Sequence, residues 1–162
     1  MATHGGAVLL RIVIVIHIAA GLTAVTAGAT AMLAPKRPGR HPRSGRAYLG
    51  ALAVLTASAT FITTARPHTA DLLMLGALAF ASAGYGWRAR RLRHQGWRPR
   101  HITGMALSYV AMLTAFYVDN GPRLPLWNLL PPLTFWFLPA AVGLPLLLRA
   151  LRRHHMPRRS SG

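Results

Sequence analysis

Five long apolar runs, with almost all of the positive charge crowded into alternate gaps between them, constrain this chain more than any other feature. The runs are Ala7 to Ala34, Ala47 to Ala65, Leu72 to Trp87, Ile102 to Val118 and Pro131 to Leu148. Each comes near the roughly 20 residues that a helix needs to cross a hydrocarbon core of about 30 Å. The third and fourth are short and call for little tilt or local thinning. A helix of a soluble bundle carries a polar stripe, and none of these runs has one. The expectation is an all-α integral membrane bundle of about five transmembrane helices.

The charged gaps orient it. Lys36, Arg37, Arg40, Arg43 and Arg46 follow the first run, and Arg88, Arg90, Arg91, Arg93, Arg98 and Arg100 follow the third. Arg149, Arg152, Arg153, Arg158 and Arg159 follow the fifth. The alternate gaps hold only Arg11, Arg66 and Arg123, with both acids, Asp71 and Asp119. Sixteen of the nineteen cations therefore fall on one side. Positive loops stay in the cytoplasm. The N-terminus is expected outside, and loops 35–46 and 88–100 and the basic tail 149–162 inside, in a bacterial-type cytoplasmic membrane. Ala27 to Ala31 imitates a cleavage site, but the basic block comes after the run rather than before it, and the run exceeds a signal-peptide core. The first helix is read as uncleaved.

Residues 1–162 are read as one transmembrane domain. A net charge of +17 invites a nucleic-acid reading. Cations confined between membrane spans do not form the soluble basic face that reading needs. Anionic lipid headgroups are the expected partner, with a homo-oligomer or a larger membrane complex as further partners and no nucleic acid. The absence of cysteine removes disulfides, thiolate metal sites and cysteine nucleophiles.

Small residues recur at helical spacing: His17, Gly21, Ala24, Gly28 and Ala31; Gly50, Ala53, Ala57 and Thr60; Gly76, Ala79, Ala83 and Gly86; Gly104, Ser108, Ala111 and Ala115. In lipid such stripes let helix backbones approach closely, and tight packing is the plainer reading beside a cofactor slot. Pro131 and Pro132 suit a first helical turn. Pro139 and Pro145 are expected to kink or break the fifth helix. Tyr117, Trp127 and Trp136 are expected near the outer interface, and Tyr48, Trp87 and Trp97 near the inner one.

His17 is ionisable within an apolar run, which makes it a functional candidate. Helical rise puts it roughly 13–15 Å below the outer end of its span. That depth matches Thr56 to Thr60, Ser82, Tyr109, Met112 and, on the fifth run, Trp136. The plainer role is a neutral histidine bonded to Tyr109 or a threonine. The sharper one is a ligand-binding or proton-relay centre drawing on His17, Thr60, Ser108, Tyr109 and Met112. A b-type haem is a rival reading, with His17 and Met112, or His41 and His101 at the cytoplasmic face, as axial pairs at one depth. No metal ion site is assigned. Asp71 opens the third helix and complements its dipole. Asp119, Asn120 and Gly121 read as a stop and turn closing the fourth. Arg11 is read as pairing with an acid or snorkelling. No nucleophile motif accompanies these groups, and a non-enzymatic role is expected.

Three stretches together resemble a known family. They are His17-Ile-Ala-Ala-Gly21 with Gly28, the loop Pro35-Lys-Arg-Pro-Gly-Arg-His-Pro-Arg-Ser-Gly-Arg46, and the block from His101 to Asn120. The last contains Gly104, Met105, Ser108, Tyr109 and Leu113-Thr-Ala-Phe-Tyr-Val-Asp-Asn120. The family is one of small bacterial polytopic membrane proteins catalogued as a domain of unknown function. The resemblance runs from about His17 to the fifth run and implies an architecture but no activity. Members place His-Arg where this chain has His41-Pro42, and a Trp-Met pair near His101, so no shared site at these histidines is carried over. The resulting expectation is a membrane protein binding a small molecule or relaying protons around His17. A redox protein with haem or quinone, and a structural or assembly subunit, stand as the rivals.

Overall fold

A computed structural model of the protein describes residues 4–35 and 39–155. Lys36, Arg37, Arg158 and Arg159 lie outside the described residues. The order of elements is α1 (His4–Leu33), α2 (Arg40–Ala65), α3 (Ala70–Leu92), α4 (Trp97–Asn120) and α5 (Thr134–His155). Three single-turn 3-10 helices complete it, at Pro67–Thr69, Gly121–Arg123 and Trp127–Leu129. No strand occurs among the described residues.

Four helices, α1, α2, α4 and α5, are long and apolar enough to cross a membrane. At about 1.5 Å per residue they run from roughly 33 to 45 Å, against a core of about 30 Å. α3 has comparable length, 23 residues, but its glycines, Asp71 and terminal arginines dilute its apolarity. Large apolar side chains, among them Val15, Ile18, Leu22, Met74, Phe137 and Leu146, stand more than half exposed. A water-soluble fold would not tolerate that much exposed hydrocarbon. An all-α membrane bundle does.

The helices outrun the apolar runs at their charged ends. Arg40, Arg43 and Arg46 lie within α2 rather than in a loop. Gly39 holds the N-cap at φ 121, and Pro42 falls in the first turn, where a missing N–H costs nothing. α3 likewise continues through Arg88, Arg90 and Arg91, and α4 begins at Trp97. The expected loop 88–100 thus shrinks to residues 93–96. Arg93 and Gly96 both adopt left-handed backbone there, at φ 48 and 74, which reverses the chain within four residues.

Two expectations about α5 are corrected. Pro131 and Pro132 precede the helix, which starts at Thr134. Pro139 and Pro145 sit inside one continuous helix and do not divide it. Each removes a single backbone donor, and the remaining hydrogen-bonded turns carry the helix through. α4 ends at Asn120 and a single 3-10 turn follows from Gly121, whose φ is −49. The lack of a side chain at Gly121 serves a contact, since a Cβ there would lie 2.7 Å from the Phe135 ring.

The chain divides into two compact units, Met1–Phe80 and Ala81–Gly162. In the first, α1 and α2 form an antiparallel hairpin whose buried residues are Ala20, Ala24 and Gly28 on α1 and Tyr48, Leu52 and Ser58 on α2. The small stripe of α1 is therefore an interface, as expected. That of α2 does not face α1: Gly50, Ala53, Ala57 and Thr60 are exposed. The groove left by small residues on α1 is filled by large ones on α2, as Leu55 shows by lying 3.6 Å from where a Gly21 Cβ would be. Groove against ridge gives more contact than groove against groove.

In the second unit, the end of α3 crosses α4 at Gly86 and Gly104, and α4 runs antiparallel to α5 with Gly143 against Val110. Ser108, Ala111, Met112 and Thr114 are buried along α4, with Phe135, Pro139 and Leu147 on α5. The Tyr117 and Trp127 rings meet at 5.4 Å near the end of α4 away from Trp97. The salt bridge Asp119–Arg123, at 3.7 Å, is exposed on both sides.

Candidate functional site

Within the first unit, His17 points at α2. Its Nδ1 lies 2.9 Å from Ser58 Oγ. Ser58 is only 8% exposed, and its hydroxyl also sits 2.8 Å from the Val54 carbonyl and 2.9 Å from that of Leu55. A hydroxyl has one proton. Given to those carbonyls, as serines in apolar helices commonly do, it leaves the oxygen to accept from Nδ1–H. The serine then orients the ring and selects its tautomer, which is how second groups set up functional histidines.

The same nitrogen is used in two other places. His41 Nδ1 donates to the Ala31 carbonyl at 2.8 Å, across the α1–α2 turn. His101 Nδ1 donates to the Gly86 carbonyl at 2.9 Å, beside the α3–α4 crossing. A carbonyl only accepts, so Nδ1 carries the proton in both. Each histidine thus fastens the arginine-rich end of a helical hairpin. Both bonds are interhelical, and the Ala31 carbonyl, in the last turn of α1, is one that lacks a partner within its own helix.

The other sequence candidates fall in both units. Thr60 is exposed and its hydroxyl donates to the Thr56 carbonyl at 3.0 Å. Thr56 Oγ1 is buried and makes no hydrogen bond among the described residues. Ser108 and Met112 are buried in α4, and Tyr109 is half-buried. His17 and His41 belong to the first unit; Ser108, Tyr109, Met112 and His101 belong to the second. No group of three or more metal-ligating side chains occurs among the described residues. His68 is exposed on the 3-10 turn before α3.

Sequence reasoning passed over Ser58. It had the correct depth, Thr56 to Thr60, but not the rotation. Ser58 and Thr60 are about 200° apart around a helix that turns about 100° per residue, so one faces α1 while the other faces away. The large residues Tyr48, Leu52 and Leu55, on the same side as Ser58, carried the usable signal.

A second feature lies at the arginine end of α3 and α4. A cavity of about 200 Å³ is lined by Tyr85, Arg88, Leu92, His94, Trp97 and Arg100. Arg91 sits over the Trp87 ring at 4.9 Å and Arg98 over that of Trp97 at 5.6 Å. Guanidinium groups stacked in this way are held at aromatic faces.

No curated protein matches the chain, and no solved structure does. A family model, described as Predicted membrane protein (DUF2306), matches residues 14–149. That span takes in His17, both basic segments and most of α5, and it includes each of the three stretches on which the resemblance rested. The chain belongs to this family of membrane proteins of unknown function.

Proposed function

We propose that the protein is a non-enzymatic, multi-pass protein of the bacterial cytoplasmic membrane, with a site at His17 that binds a small molecule or hands on a proton. The observation that carries this reading is the His17–Ser58 contact of 2.9 Å. An imidazole is costly within an apolar helix and is retained where it has a task. Here it faces a neighbouring helix, and its orientation is held by a hydroxyl anchored on its own backbone. α3 makes the fifth crossing. The sixteen cations in alternate gaps support an outer N-terminus and cytoplasmic arginine-rich turns.

The test compares native mass spectra of protein purified in mild detergent, wild type against His17→Gln, together with proton uptake by proteoliposomes. Glutamine keeps one donor and one acceptor, so the variant is expected to retain its melting temperature. Loss of a bound small-molecule mass, or of proton conduction, in a folded His17→Gln protein supports the proposal. Wild-type protein with neither an adduct nor conduction refutes it.

A further inference from the structure

We infer that the cavity at the arginine end of α3 and α4 is a binding site for the phosphodiester headgroup of an anionic phospholipid. Its location rests on the reading that α3 and α4 are membrane-inserted, with this end at the cytoplasmic interface. Four observations converge on the ligand class. Arg88 and Arg100, from two different helices, line one cavity, and guanidinium groups are well suited to phosphate oxygens. Neither forms an ion pair among the described residues. The chain has only two acids, Asp71 and Asp119, and neither lies in the segment from 85 to 100, so the counter-charge comes from outside the protein. The neighbouring Arg91 and Arg98 are occupied by the rings of Trp87 and Trp97, which leaves Arg88 and Arg100 as the pair directed at the cavity.

Size and lining then separate a lipid from other anions. A volume of about 200 Å³ corresponds to about seven waters at about 30 Å³ each. That suits a phosphodiester and falls short of the roughly 300–1,000 Å³ of a site for a drug-sized metabolite. Tyr85, Ala89, Leu92, His94 and Trp97 supply the rest of the wall, most of it apolar. A free inorganic anion gains nothing from those apolar surfaces, whereas the glycerol and first methylenes of a lipid do. Trp97, shared with an adjoining cavity at Gly96, Arg98 and Pro99, is of the residue type that favours the headgroup level.

The test titrates the full chain in detergent and follows its melting temperature. The ligands are phosphatidylglycerol, phosphatidylcholine and inorganic phosphate. Phosphatidylglycerol is expected to stabilise the wild type, with phosphatidylcholine and inorganic phosphate much weaker. Arg88→Gln/Arg100→Gln is expected to raise the half-saturating phosphatidylglycerol concentration about thirtyfold, each cation near an anionic lipid contributing about fivefold. Arg152→Gln/Arg153→Gln, which removes the same charge from α5, should leave it within about twofold. Ala89→Trp fills the cavity while keeping every cation and should also weaken binding. Equal loss in the two double variants overturns the site in favour of diffuse attraction. An undiminished Ala89→Trp, no preference between the two lipids, or an equal response to inorganic phosphate also overturns it. A reporter at Gly96 reading periplasmic would sink the topology alone, since the detergent titration does not depend on it.

Discussion

Gly86 and Gly104 meet backbone to backbone: a Cβ on Gly104 would stand 2.7 Å from the Gly86 nitrogen and 2.8 Å from its Cα. The same Cβ would also be 2.7 Å from the Ser82 carbonyl oxygen. A Cβ on Gly86 meets the His101 carbonyl at 3.1 Å. Close approach of this kind replaces the hydrophobic effect as the source of helix association in lipid. The prediction is graded. Gly104→Ala should destabilise the protein by about 3 kcal/mol, since backbone cannot swing aside. Gly86→Ala should cost about 1 kcal/mol. Gly84→Ala, where a Cβ meets nothing within 4 Å, should be neutral or stabilising by up to about 1 kcal/mol. Melting in detergent gives the order directly, and equal effects at 84 and 104 would dismiss the crossing.

At Gly143 the obstacle is a side chain. A Cβ there would clash with Val110 Cγ2. Gly143→Ala is expected to lose about 1–3 kcal/mol, and Val110→Ala in the same chain should return most of it. A double-mutant cycle should therefore show a coupling of at least about 1 kcal/mol. Additive losses would mean that α4 and α5 do not meet at these positions.

The His17–Ser58 pair makes its own forecast. Ser58→Ala should cost about 1–2 kcal/mol, and His17→Leu about 1–3 kcal/mol, because each takes from the other its partner in this hydrogen bond. The double variant removes both partners together and should cost less than the sum. If the two losses simply add, the hydrogen bond carries no stability.

Reporter fusions after Gly39 and Gly96 should both give cytoplasmic signals, and one after Pro67 a periplasmic signal, as the distribution of arginine requires. A periplasmic signal at Gly96 would remove α3 from the membrane or invert the hairpin.

Hydropathy made the five helices legible because long apolar runs leave a plain mark on composition, four of them long and apolar enough to cross a membrane. It did not reveal where they end. Arg40 to Arg46 and Arg88 to Arg91 are as helical as the apolar turns beside them, since backbone hydrogen bonds do not require an apolar side chain. Nor did it reveal which side of α2 faces its neighbour. Small residues at regular spacing mark a groove, and a groove pairs equally well with a ridge. Tyr48 and Leu52, 2% and 1% exposed, are that ridge, and recognising them requires comparing two helices rather than reading one. The family resemblance covered the region that the family model spans and supplied no chemistry, so the His17 site rests on geometry alone.

The α1–α2 hairpin has a consequence for the timing of folding. Every contact that defines it, from His17 with Ser58 to Ala31 with His41, joins residues that have all been synthesised once the ribosome passes Ala65. Contacts this local in sequence form quickly, and units completed early in synthesis fold ahead of later ones. The first hairpin can therefore close before α4 exists, so His17 acquires its orienting partner during translation and without waiting for the rest of the chain.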